Sequence, residues 1–367
     1  MNLQHQYEFK NGVLRGLAWV VLAFVLLLVL NFANSAVAAK PADRSDMLFP
    51  YYEVAEVLNS VAIHHHAKDT ALLRDQLEAL SVATAQYCKT GGKAQPANMQ
   101  QLQAQYAKAY LAWLELSAVV MGPMLDNNTV RQIDFRPLRL NLLERAIKKQ
   151  PQGAQGMVLI GSPAKGFPAL EYLLTQNDFQ GGTPQCNYAH EVVLDIARTV
   201  AGLKWDDAQA LGAGMQLYFN QLVGATHNLA WERMEKPLLK NKDEASANMA
   251  PAGHWPFSEF QLTEKAWAAQ WQGIEHLLMV TSQTVPQANT QVIPLEAYLR
   301  GLGKIELADT LVKYSSAVSV AMRSNDITKP ASVEQSVKAL KVLKGFLESE
   351  VAKGLKVSIQ FSSSDGD

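Results

Sequence analysis

A single carboxylate, Glu171, sits in the apolar run Ala169, Leu170, Tyr172, Leu173, Leu174, just after Gly166-Phe167-Pro168. Proline suits the first turn of a helix, where its missing N–H would be unpaired anyway. Glu171 then falls about one turn in, where the helix dipole favours negative charge. A carboxylate among apolar neighbours needs a cation or a ligand to offset the loss of water. The segment Ile133-Asp134-Phe135-Arg136-Pro137-Leu138-Arg139 supplies Arg136 as the natural counter-ion. A structural ion pair and a ligand-binding site both fit these residues. Trp113 and Glu115 lie on a helix around 102–120 that ends in Met121-Gly122-Pro123. The aromatic stretch His254-Trp255-Pro256-Phe257-Ser258 enters a later helix, with Ser258 or Thr263 able to cap it. That entry could line a cleft, or act as a hydrophobic staple.

Other chemistry is harder to assemble. His64-His65-His66 are consecutive, so on one helix they point about 100° apart and do not converge on an ion. A His pair at i, i+4 is absent, and one turn on only Asp69 could join His65, a weak two-ligand set. The triplet reads as a polar helix face, and His190, His227, His254 and His276 as isolated surface or core residues. The sequence holds no Gly-x-Ser-x-Gly elbow, Walker loop or Gly-x-Gly-x-x-Gly. The two cysteines, Cys88 and Cys186, flank turn-rich segments. In an oxidising compartment a Cys88–Cys186 bridge is expected, against two buried free thiols as the alternative.

The elements that must position these residues are helical. Leu73, Leu77 and Leu80 recur at i, i+4, i+7, and Leu102, Tyr106, Ala109, Trp113 extend the same spacing. Similar faces run through Val193, Ile196, Val200, Leu203, through Leu211, Met215, Tyr218, Leu222, and through Trp267, Trp271, Ile274, Leu278. Stretches at 295–311 and 337–351 show the same period. Val357-Ser358-Ile359 is the lone strand candidate, so the fold class is all-α. Turn residues at 91–96, 122–123, 151–161 and 181–184 break the first half, and those at 286–294 and 324–332 the second. The polar run 240–253 is the expected seam, giving two helical-bundle halves packed side by side, 40–250 and 251–360, and a disordered tail, 361–367.

Lys10 and Arg15 precede the apolar run Leu17–Leu30, and Ala36-Val37-Ala38-Ala39 follows. This pattern predicts a signal peptide, 1–39, cleaved near Ala38 or Ala39; an uncleaved anchor is the alternative. With 33 basic and 34 acidic residues there is no surplus charge for nucleic acid, and no later segment is apolar enough to span a bilayer.

The order of signal peptide, tryptophan helix ending in Met-Gly-Pro, Arg-Pro segment and Gly166-Phe167-Pro168-Ala169-Leu170-Glu171 resembles the imelysin-like proteins over about 45–350. The resemblance implies a helical protein of two bundle-like halves with a site between them, periplasmic or outer-envelope associated, serving bacterial iron acquisition. The family's Gly-x-His-x-x-Glu signature is departed from at Pro168, as in a histidine-free periplasmic branch. Pro168 offers no ligand, so the metallopeptidase activity claimed for the family lacks a ligand set here. The resemblance carries over Gly166 and Glu171 as site positions. With Arg136, Trp113 and Ser258 they are expected to line a polar cleft, with Glu171 a candidate ligand for a metal ion, iron foremost, and envelope iron-uptake components as partners. The expected function is a non-catalytic binding or accessory role. The alternatives are a metal-dependent peptidase using Glu115, Glu171 and His254, and a structural envelope protein.

Overall fold

The structure is a computed structural model that describes residues 44, 47–89, 96–205, 214–246 and 255–360. The expected signal peptide, His254 and the tail 361–367 lie outside the described residues. Helix α1 (Val54–Val61) runs through a π-helical segment, Ala62–His66, into α2 (Ala67–Lys89). Next come α3 (Pro96–Leu116), the short α4 (Gly122–Asp126) and α5 (Thr129–Ile133), then α6 (Leu140–Lys149) and α7 (Gly153–Met157). The motif helix is α8 (Phe167–Leu173), followed by α9 (Pro184–Ala201). Helix α10 (Gly214–Asn228) passes through a second π-helical segment, Leu229–Glu235, into α11 (Lys236–Ser246). The remainder is α12 (Thr263–Leu278), α13 (Leu295–Gly301), α14 (Ile305–Arg323) and α15 (Pro330–Phe346), with a third π-helical segment leading into α16 (Ala352–Leu355). No β-strand occurs among the described residues.

Helix α2 packs between α3 and α9, while α12 and α15 pack with the π-helical segment after α10 and α14 packs against α12 and α15. Helix α12 lies along α3 and joins the two groups. The stripes read from the sequence are the faces that do this: Leu73, Leu77, Leu80, Tyr106, Trp113, Val193, Ile196, Trp267 and Ile274 are all buried. Gly273 sets the α3–α12 distance, because a Cβ there would lie 2.3 Å from the Glu115 carbonyl oxygen. The Cys88–Cys186 disulfide joins the end of α2 to the start of α9, with Cα atoms 5.5 Å apart.

Four expectations need correction. The stretch 295–311 is two helices, because Gly303 takes φ +72° and Lys304 N–H donates to the Leu299 carbonyl, closing α13 with a Schellman turn. The polar run from 240 begins as helix, since α11 continues to Ser246. Val357–Ile359 has no regular secondary structure and pairs with no strand among the described residues. Instead Ser358 N–H donates to Gln216 Oε1 and Gln360 N–H to Asn220 Oδ1, so side-chain amides of α10 take the place of a neighbouring strand. The histidine triplet is not a polar face: His65 and His66 are buried, and His66 stacks on Trp205 with ring centres 4.6 Å apart.

Candidate functional site

Gly166 makes the site possible. It caps α8 with φ +79° and ψ −168°, a region essentially reserved for glycine. An added Cβ would sit 2.1 Å from the Ile133 carbonyl oxygen. The missing side chain lets the N-terminus of α8 dock on the end of α5, and the chain leaving α5 then carries Asp134 and Arg136 to Glu171. Proline occupies the first turn of α8 as expected, and Phe167, Ala169, Leu170 and Leu173 bury the helix on nearly all sides.

Arg136 stands at the centre of a polar network. Its Nη2 donates to Glu171 Oε2 at 2.8 Å and to the Tyr110 hydroxyl at 2.8 Å, and its Nε donates to Asp134 Oδ1 at 3.0 Å. Tyr110 in turn donates to Asp134 Oδ2 at 3.1 Å. Tyr110 and Tyr106 come from successive turns of α3, and Tyr106 donates to the Phe167 carbonyl at 3.4 Å. Burial, and then the adjacent carboxylates, push both phenols well above their ordinary range, so both remain donors. Burial alone would lower the Arg136 pKa, but Tyr110, Asp134 and Glu171 more than reverse this and the guanidinium stays charged. The guanidinium also lies 4.9 Å from the centre of the Phe257 ring, and Arg233 approaches the same ring at 5.6 Å. Phe257 is thus shared by two arginines, an arrangement that favours cationic partners over aromatic faces.

The residues singled out from the sequence separate into groups. Gly166, Glu171 and Arg136 come together. Trp113 is completely buried beneath Phe167, ring centres 6.3 Å apart, and belongs to the core. Ser258 opens a 3-10 turn, where its carbonyl accepts from Gln261 N–H, and it is its neighbour Phe257 that reaches the network. Neither Ser258 nor Thr263 caps α12: the cap residue is Leu262, and the Thr263 hydroxyl donates to the Pro256 carbonyl at 2.6 Å. Glu115 lies on α3 but meets Gln272 and His276, not Glu171. Glu171 is only 8% exposed and paired, so it sits inside the fold and not on an open cleft wall.

A cavity of about 450 Å³ lies beside this network, lined by Leu114, Val130, Asp134, Gln221, Arg233 and Gln270 among others. Asp134 belongs to both network and cavity. Asp134, Tyr110 and Arg233 were not among the sequence candidates. Tyr110 follows Tyr106 at i+4, which was a legible signal; Arg233, far along the chain, left none.

The motif does not fit a metal ion. Pro168 has no side-chain donor, Glu171 and Asp134 are both held by Arg136, and a guanidinium occupies the position a cation would need. Among the described residues no group of three or more His, Cys, Asp or Glu side chains converges on an ion.

The imelysin family model (Peptidase M75) matches residues 63–320. No curated protein matches the chain. Among the solved structures that share its fold are two bacterial proteins. An imelysin-like protein from Psychrobacter arcticum superposes with a TM-score of 0.67 at 16% identity, covering 85% of this chain and 99% of its own. A candidate iron-regulated protein A precursor from Parabacteroides distasonis gives a TM-score of 0.65 at 12% identity, covering 85% of this chain and 95% of its own.

Proposed function

The chain belongs to the imelysin family, and from that premise we propose that it is a non-catalytic, exported binding protein in iron acquisition. The observation that carries this reading is the bond pattern of Arg136. With Pro168 in the motif and both nearby carboxylates bonded to one guanidinium, the site is built to hold its shape. The iron connection is supported by the neighbour described as iron-regulated. Export is supported by the Cys88–Cys186 disulfide and by the N-terminal sequence.

The ligand of this reading is a small anionic molecule, such as a carboxylate chelate of iron, held in the cavity beside Asp134. Its volume of about 450 Å³ falls in the usual range for small-molecule sites. Arg233 faces that space with no ion-pair partner among the described residues, and its charge disfavours a bare metal cation. The two halves, 40–250 and 251–360, would meet at this cavity, and envelope iron-uptake components would be the partners.

Calorimetric titration of the mature protein with ferric citrate tests the reading. Saturable binding weakened at least about tenfold by Arg233→Met is expected, a loss of about 1.4 kcal/mol. No binding of any anionic iron chelate, or binding indifferent to Arg233→Met, overturns it. Chelator-sensitive cleavage of an unfolded polypeptide would instead favour the peptidase, and neither activity would favour the structural envelope protein.

A further inference from the structure

The turn after α7 holds two apolar side chains out to solvent. Val158 and Leu159 are 75% and 79% exposed, while Met157 and Ile160 on either side of them are buried. The backbone of this tip is bonded throughout. Val158 N–H donates to the Ala154 carbonyl, Leu159 N–H to that of Gly156 and Ile160 N–H to that of Met157. Lys165 Nζ also donates to the Met157 carbonyl, at 3.2 Å. Single exposed apolar residues are ordinary, but two adjacent ones on a bonded turn add nothing to the core and mark a contact surface.

Helix α6 runs beside this tip. Just past its C-terminal end, Gly156 packs on Pro151, where an added Cβ would lie 3.1 Å from the Pro151 carbonyl carbon. At its N-terminal end, Arg139 N–H donates to the Pro163 carbonyl at 2.9 Å. The chain from 156 to 163 therefore spans the length of α6, about 15 Å for a helix of this size, with Val158 and Leu159 on the way. The helix is strongly amphipathic. Leu143 and Ala146 are buried, whereas Arg145, Lys148 and Lys149 are exposed.

The charge around the tip is one-sided. Residues 139–165 carry five basic side chains and one acidic, Glu144, in a chain whose net charge is −1. Lys165 is paired with Asp195 at 2.8 Å. Arg139, Arg145, Lys148 and Lys149 are exposed and enter no ion pair among the described residues. Glu191, which reaches this region from α9, is engaged by Gly153 N–H at 3.0 Å.

We propose that this face docks on an anionic lipid surface, with Val158 and Leu159 entering the interface and Arg139, Arg145, Lys148 and Lys149 over the headgroups. An apolar tip beside unpaired cations matches a bilayer, which offers hydrocarbon beneath a layer of negative charge. A specific protein contact buries about 20 residues or more on each side, whereas a lipid interface accepts two side chains on one turn. No helix among the described residues is long and apolar enough to cross a membrane, and the contact proposed is peripheral. Each cation near such a surface raises affinity about fivefold, an effect that salt screens. None of these residues lines the Arg136 cavity, so vesicle binding and ferric citrate binding succeed or fail separately.

Co-sedimentation of tag-free mature protein with vesicles of phosphatidylethanolamine and phosphatidylglycerol provides the test, with vesicles of phosphatidylcholine alone as the neutral control. Saturable binding to the anionic vesicles is expected, at least about tenfold tighter than to the neutral ones and weakened by salt. The double changes Val158→Ser with Leu159→Ser, and Lys148→Gln with Lys149→Gln, should each weaken it at least about tenfold. Both pairs are exposed, so melting points should match the parent's. Val320→Ser, at a half-exposed valine on α14, should leave binding unchanged. No binding to the anionic vesicles, equal binding to the neutral ones, or binding indifferent to both double changes overturns the proposal. Self-association abolished by Val158→Ser with Leu159→Ser, without vesicle binding, would assign the face to a second copy and likewise overturn it.

Discussion

Removing Arg136 should damage the fold more than removing its partner Glu171, although the two share one bond. In Glu171→Gln the arginine is not stranded. It keeps Asp134 at 3.0 Å and Tyr110 at 2.8 Å, its side chain retains 30% exposure, and the new amide oxygen can still accept. The loss is then that of a single charge-assisted hydrogen bond, ~1.5–3 kcal/mol at most. Arg136→Met instead takes the cation away from two carboxylates whose side chains are only 3% and 10% exposed. Buried charge deprived of its cation costs ~3–5 kcal/mol. Urea unfolding at pH 7.5, monitored by circular dichroism at unchanged m, should therefore place Arg136→Met about 2 kcal/mol below Glu171→Gln. The deficit of Arg136→Met should also shrink as pH falls. Buried carboxylates without that cation have raised folded-state pKa values, so the penalty is present above those values and is relieved by protonation. If Arg136→Met is no less stable than Glu171→Gln, the arginine does not organise the site.

His66→Phe should make the protein more resistant to acid. Burial lowers the His66 pKa to about 3, so this histidine costs nothing above the unfolded value near 6.5 and destabilises progressively below it. At pH 5 the gain over the pH 8 difference should be about 2 kcal/mol, measured by paired denaturation curves; an equal difference at both pH values refutes it. Gly166→Ala combines a glycine-only backbone with a Cβ driven into the Ile133 carbonyl, and a loss of at least ~1–3 kcal/mol is expected in thermal unfolding. A melting point equal to the parent's would show that α8 docks otherwise. The double change Cys88→Ser with Cys186→Ser should cost up to ~4.7 kcal/mol for a bridge across 98 residues, read from urea midpoints; no shift would show that the bridge contributes nothing to stability.

The helical class was legible because each stripe, such as Leu73, Leu77, Leu80, reports its own burial through local spacing. The Glu171–Arg136 pairing was legible for a related reason: one charge in an apolar helix demands a partner, and few cations stood close enough in sequence to supply it. Asp134 and Tyr110 lay beside residues already noted, but their joint grip on Arg136 depends on the docking of α5 against Gly166, which no spacing reveals. Ideal helical rotation does not place the histidines, because the π-helical turn at Ala62–His66 changes which way they face. His276 was read as isolated because its partners lie more than a hundred residues away in sequence, brought near by the absence of a side chain at Gly273. Trp113 misled for the opposite reason: an aromatic near a polar motif is as good a core residue as a pocket wall.

The disulfide has a topological consequence. Joining Cys88 to Cys186 makes the intervening chain a covalent ring, and Tyr106, Tyr110, Asp134, Arg136 and Glu171 all belong to it. Arg233, Phe257 and Gln270 do not. One wall of the cavity is thus made of polypeptide that cannot be drawn apart past its bridge, and the facing wall of polypeptide that can. A cut anywhere in 206–213 would leave the guanidinium and its three oxygen partners on a single closed loop, joined to the opposite wall by non-covalent contacts alone.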